Sequence, residues 1–286
     1  MSGPATLGSP SASFVDLHSH STASDGAFAP AVVVQEAHKA GLSAIALTDH
    51  DTTAGLAEAM AEGARLGIRV VAGVELSAVE LEHETHILGL HLGSTAPIDA
   101  KLSELRDMRR NRAGKIVDLL NAQGVRITLD SVLAQAAGAA IGRPHVARAL
   151  IAEGWAADAR DAFDRYLASG RPGFVAKDQL TMRDAIDLIH SAGGIAVVAH
   201  PGHNGTRERI ETLLKDGLDG VEVRHPGHSA EDMLRLMALV EHFGLVPSGG
   251  SDWHGLPGPR TLGAMKVPME WLHWQDERVQ SREVLK

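Results

Sequence analysis

The stretch "FVDLHSHSTASDG", residues 14–26, decides the fold. A short apolar run leads into His18 and His20, one residue apart, and Asp25 follows in a stretch rich in Ser, Thr and Gly. A run this short, bounded by turn residues, reads as a buried strand entering a loop. In a strand, residues i and i+2 point to the same side, so both imidazoles can reach one ion. Working outward, the arrangement recurs. "SAIALTDH" (43–50) reads as a buried strand ending in Asp49 and His50, with Asp51 next. "IRVVAGVELSA" (68–78) reads as a strand ending at Glu75, and "THILGLHL" (85–92) as one opening at or near His86. Further on, "IAVVAHP" ends in His200, "GVEVRHP" in His225, and "LVPSGGSDWHG" in Asp252 and His254.

Helical patterns fill the gaps. "APAVVVQEAHKAG" has Pro30 near its start and Gly41 at its end; "TTAGLAEAMAEGARLG" is expected to be capped by Thr52 or Thr53 and closed by Gly67. The patterns around residues 181–194, 206–217 and 229–244 complete the rhythm. Strand–helix alternation calls for a parallel sheet with crossover helices, and about seven such strands suggest a barrel more than an open sheet. In a parallel barrel all strand C-termini emerge on one face, where active sites lie. One strand-end histidine is more often a packing residue than a ligand, but six or more in step with the strands point to a shared site.

The rhythm breaks between residues 97 and 172, which read as an inserted helical subdomain. Its first helix carries a basic segment, residues 101–126, with seven Lys/Arg against three Asp/Glu in a chain of net charge −9. Arg109 and Arg112 fall one turn apart there, and Arg143 with His145 follows Gly142; these four are the candidate substrate-binding residues. The barrel domain is accordingly expected over 14–96 and 173–286, after a disordered leader at 1–13 that lacks the features of a signal peptide.

With 44% hydrophobic residues, the chain can bury a large core. No apolar run approaches a membrane span, so a cytoplasmic protein is the default. The acidic balance disfavours a long polyanion as main partner. The chain has no cysteine and 16 histidines, so any metal is held by His, Asp and Glu. The strand-end residues exceed the ligands of one ion and suit two or three divalent ions, with Glu75 the expected bridge. Clustered ions of this kind activate a water and clamp phosphoryl oxygens.

"DLHSHSTASDG", "ALTDHDT", "GVELSA", "HILGL", "AHP" and "GSDWHG" together resemble the successive motifs of the polymerase-and-histidinol-phosphatase (PHP) family, in family order over residues 14–256. The resemblance implies an α/β distorted (β/α)7 barrel with a trinuclear metal site. It implies His18, His20, Glu75 and Asp252 at one metal, Glu75, His86 and His200 at a second, and Asp25, His50 and His254 at a third. Manganese is the expected ion, with iron, zinc or magnesium as alternatives. The helical insertion resembles the branch containing nucleoside 3′,5′-bisphosphate phosphatases and 5′-to-3′ exoribonucleases. That implies a hydrolase removing the 3′-phosphate of a small nucleotide, with short RNA ends as the alternative substrate and His225 as the candidate acid. Rival readings are histidinol phosphate hydrolysis, whose substrate gives an arginine-rich insertion no second phosphate to hold, and a non-catalytic metal-binding module. No obligate protein partner is evident.

Overall fold

The computed structural model describes residues 13–80, 83–136, 141–176, 180–258 and 260–284. The expected leader therefore lies outside the described residues, apart from Ser13. The chain divides into two compact units, one holding residues up to Asp99 and from Leu180 onward, the other Ala100–Gln179.

The first unit begins with β1 (Phe14–Asp16), α1 (Pro30–Lys39), β2 (Ala44–Leu47), α2 (Leu56–Leu66), β3 (Arg69–Glu80) and β4 (His83–Leu90). Each helix forms for local reasons. In α1 Pro30 pre-sets the first turn, and Pro30, Val33, Val34 and Ala37 make one buried face. The start of α2 differs from expectation. The residue before its first turn is Gly55, and neither Thr52 nor Thr53 caps it; the Thr53 hydroxyl instead donates to Asp99 Oδ1 at 2.5 Å. Gly67 closes α2 at φ +74°, as its sequence position suggests.

The second unit is helical. The long α3 (Ala96–Ala122) enters it and is followed by α4 (Leu129–Ala136), α5 (Arg143–Ala152) and α6 (Ala159–Ala162), the last running into a wide π-type turn over Phe163–Leu167. It has its own core, in which Ile116, Leu120, Val132, Val146, Leu150 and Leu167 are buried.

The chain then returns to the first unit through α7 (Met182–Ser191), β5 (Ile195–Val198), α8 (Arg207–Lys215), β6 (Gly220–Arg224), α9 (Ala230–Phe243) and β7 (Val246–Gly249). The side chains of Thr181, Thr206 and Ser229 each accept a backbone N–H at the start of α7, α8 and α9. A two-residue β8 (Val267–Pro268) and α10 (Met269–Val284) finish the chain, both beyond the last motif read from the sequence.

One eight-stranded sheet runs in the order β7-β6-β5-β4-β3-β2-β1-β8. Four of the neighbour pairs are parallel, but the short β8 is antiparallel to β1, and β4 is antiparallel to both β3 and β5. This reversal explains why His86 belongs to the early part of its strand: the N-terminal half of β4 lies at the face where the parallel strands end. β3 also runs five residues past Glu75, pairing with β4 out to Glu80–His83, so Glu75 is mid-strand and not terminal. The sheet nearly closes. Beyond β1, Leu17 N–H donates to Gly249 O, Asp252 N–H donates to His18 O, and Ser19 pairs in parallel with Trp253. Closure depends on Gly250, where a Cβ would stand 2.4 Å from His18 N and 2.8 Å from Asp16 Oδ1. No helix among the described residues is long and apolar enough to cross a membrane.

Candidate metal centre

At the face where the parallel strands end, the structure gathers His18, His20, Asp25, His50, Glu75, His86, His200, Asp252 and His254. Glu75 is fully buried at their centre. Its Oε2 lies 2.9 Å from His18 Nε2, 3.2 Å from His20 Nε2 and 3.4 Å from His50 Nδ1. Its Oε1 lies 2.9 Å from His86 Nδ1 and 3.0 Å from His200 Nε2. Asp252 Oδ1 adds a second carboxylate, 3.1 Å from His20 Nε2 and 3.4 Å from His18 Nε2. Asp25, 57% exposed, is looser, with Oδ1 3.3 Å from His254 Nε2.

Among the described residues, three groups of side chains bring possible ligand atoms close enough for one ion each: His18, His20, Glu75 and Asp252; His50, Glu75 and His86; and His20, Asp25, His50 and His254. The hydrogen bonds around them test the fit. His18 Nδ1 uses its proton on Glu222 Oε1 at 3.0 Å, and His254 Nδ1 uses its proton on Asp252 O at 2.9 Å. Each ring therefore turns the lone pair of Nε2 toward a carboxylate, an arrangement that requires a cation between them, either a proton or a metal. Nε2 of the buried His20 and Nδ1 of His86 lack an aligned hydrogen-bond partner despite their nearness to Glu75, and His20 Nδ1 lacks one as well. An all-imidazole and carboxylate donor set of this kind fits divalent metal ions.

Charge follows the same geometry. Burial opposes ionising Glu75, but the surrounding imidazoles outweigh it and hold its carboxyl well below the usual range. Burial likewise opposes charging His18, yet Glu75 and Glu222 hold its pKa well above the ordinary histidine value. Two of the gathered residues, His200 at φ +29° and Asp252 at φ +50°, are in left-handed backbone that non-glycine residues rarely adopt.

Glu222, which sequence reading passed over, is the main supporting group. It is fully buried, and besides His18 it accepts the His200 backbone N–H on Oε2 at 2.6 Å. A register irregularity between Glu222 and Arg224 falls in this part of β6. The available signal was a carboxylate inside the apolar run "GVEVR". Asp49 accepts hydrogen bonds from the Ser21 N–H and the Ser21 and Ser24 hydroxyls, each at 2.7 Å, and so fixes the loop bearing Asp25. His225 is buried with Nε2 3.3 Å from Asp252 Oδ2, while its Nδ1 accepts Gly227 N–H at 3.0 Å. Its ring proton is therefore on Nε2, at the centre.

The insertion's candidates fare differently. Arg112 is buried, and its Nε and Nη2 both donate to Val175 O at 2.9 and 2.6 Å. The Arg143 guanidinium lies 5.7 and 5.8 Å from the Phe163 and Phe174 ring centres, with Nη1 donating to Leu167 O. His145 Nδ1 accepts Gly142 N–H at the start of α5. These three side chains have structural bonds within the second unit, which satisfy its turn carbonyls and a helix end. Arg109 lies half-buried on α3.

A family model described as the PHP domain matches residues 16–192. The chain belongs to the PHP family. Among its curated relatives, the 3′,5′-nucleoside bisphosphate phosphatase of Chromobacterium violaceum is 39% identical over 251 residues, covering 85% of this PHP chain and 88% of the relative. The 5′-3′ exoribonuclease Rnm of Escherichia coli is 38% identical over 247 residues, covering 84% of each. A solved structure of a candidate metal-dependent phosphoesterase from Bifidobacterium adolescentis superposes with a TM-score of 0.67 at 32% identity, covering 96% of this chain and 98% of that one.

Proposed function

We infer that this PHP protein is a metal-dependent phosphoesterase that removes the 3′-phosphate from nucleoside 3′,5′-bisphosphates. The observation that carries the reading is the buried Glu75 with five imidazoles divided between its two oxygens, in a chain 39% identical to a phosphatase of that name. Two or three divalent ions, manganese foremost, would supply charge for the phosphoryl oxygens and activation of the attacking water. His18, His20, Glu75 and Asp252 would hold one, Glu75, His86 and His200 another, with His50 alongside, and Asp25, His50 and His254 the third. Glu222 fixes which nitrogen His18 presents. His225, with its proton on Nε2 at the centre, is the side chain for protonating the leaving oxygen.

The 38% identity to an exoribonuclease over most of the chain supports a second reading, removal of nucleotides from short 5′-phosphorylated RNA ends. The test is a panel with manganese-loaded protein: adenosine 3′,5′-bisphosphate, a 5′-phosphorylated oligoribonucleotide and histidinol phosphate. Preference for the first by kcat/KM is expected. A preference for the oligonucleotide moves the assignment to the second reading, and one for histidinol phosphate rejects both.

A further inference from the structure

Arg260 follows the metal-centre residues Asp252 and His254 in the chain and returns to them in space. Its Nη1 bonds Asp252 Oδ2 and lies 3.5 Å from Asp252 O. The side chain is nonetheless 45% exposed, and its Nε and Nη2 have no acceptor among the described residues. Neutralising Asp252 does not account for this. The same carboxylate oxygen already has His225 Nε2 at 3.3 Å, and the other faces His18 and His20. A guanidinium anchored at one corner, with its remaining donors facing solvent, is suited to a second oxyanion, which it can take bidentately.

The surroundings narrow the ligand. Arg260 lines a pocket with His254, Leu256, Pro257 and Gly258. One side is polar and continuous with the metal centre through His254. The other is apolar, and Leu256 is 64% exposed, a large aliphatic side chain left in water beside a cation. The wall has a firm base. Gly255 turns the chain at φ +73°, where a Cβ would stand 2.4 Å from the Phe28 ring, and that ring stacks on Trp253 at 5.4 Å between centres and 12° between planes. A phosphate with an attached apolar ring system matches both sides; a bare anion uses only one.

We propose that this pocket takes the part of the nucleotide that is not cleaved, with Arg260 holding its remaining phosphate and Leu256 and Pro257 facing the nucleoside. This rests on the nucleotide reading above and places a phosphate contact on the barrel, where the cation adjoins the candidate ligands. Energy from gripping the remote phosphate would orient the scissile one.

The experiment uses metal-loaded wild type, Arg260→Ala and Arg260→Lys, with metal content measured in each. Calorimetry compares adenosine 5′-monophosphate with adenosine, and kinetics compare adenosine 3′,5′-bisphosphate with adenosine 3′-monophosphate. Wild type is expected to bind the 5′-monophosphate about tenfold or more tightly than adenosine, and Arg260→Ala to lose most of that preference. Its kcat/KM loss on the bisphosphate should exceed that on the 3′-monophosphate by about tenfold or more. Arg260→Lys keeps a cation beside Asp252, so it should retain metal and part of the preference. A preference that persists in Arg260→Ala, or equal losses on the two substrates, overturns the proposal and leaves Arg260 as a support for Asp252. If wild type cleaves neither nucleotide, the functional reading fails, and the calorimetric comparison still decides Arg260.

Discussion

Glu222 does its work without being a candidate ligand itself. Its two oxygens hold the His18 ring and the His200 backbone, so one buried carboxylate orients residues from two different strand ends. Such partners of ligating histidines fix the tautomer and raise ligand basicity. Glu222→Gln keeps the shape but replaces one oxygen with an amide that cannot accept from His18 Nδ1–H while also accepting at the other side in the same way. Metal affinity is expected to fall about 10- to 100-fold, read by titration against a competing chelator. An unchanged affinity would remove Glu222 from the centre's design. Its position was legible only as an oddity, a carboxylate in an apolar strand. That it turns toward His18 depends on pairing between residues 204 positions apart.

At the scale of elements, the join between β1 and the chain after β7 is the critical contact. A side chain at Gly250 would collide with the His18 backbone and Cβ at 2.4 and 2.5 Å. Gly250→Ala is expected to cost about 1–3 kcal/mol, as overpacking of a close-packed interior does, and to lower metal content because His18 must shift. Urea unfolding and metal analysis together check this; loss of stability with full metal content would mean that the join adapts away from the centre. In the helical unit, Arg143 is the comparable tie. Arg143→Ala removes two ring contacts and a carbonyl bond, an expected loss of about 1–2 kcal/mol read from the denaturation midpoint. Unchanged stability with selective loss of bisphosphate turnover would instead support the substrate role that its sequence context suggests for Arg143.

For the molecule as a whole, metal and proton compete for the same cluster. The His18 pKa is raised, despite burial, by Glu75 and Glu222. A raised folded-state pKa contributes stability to the metal-free protein that is fully present below the unfolded value of about 6.5 and lost as pH rises through the higher folded value. Metal binding runs the other way, because it needs the imidazole unprotonated and releases the proton. The rise in Tm on adding Mn²⁺ should therefore be larger at pH 8 than at pH 6, and calorimetry near pH 7 should show proton release that shrinks at higher pH. A Tm gain independent of pH over that range would mean that the ions bind elsewhere. Activity should fall on the acid side for the same reason.

The alternation of short apolar runs with amphipathic helices, and the placement of His, Asp and Glu where those runs end, were determined by the sequence alone. Both are local properties: strand and helix periods repeat over a few residues, and a residue just past a buried run must emerge at that strand's end. The barrel and the gathering of histidines and carboxylates at one face were legible largely for that reason, whereas Glu75 lies mid-strand and the division of nine residues among three metals was implied by the resemblance to the PHP motifs. Other features belonged to the tertiary structure. These include the reversal of β4, the extension of β3 past Glu75, the turn of Glu222 into the centre, the bond from Arg260 to Asp252, and the commitment of Arg112 and Arg143 to carbonyls of their own unit. A charged side chain bonds whichever acceptor the fold brings within about 3 Å, and sequence spacing does not disclose that partner when it comes from a distant segment.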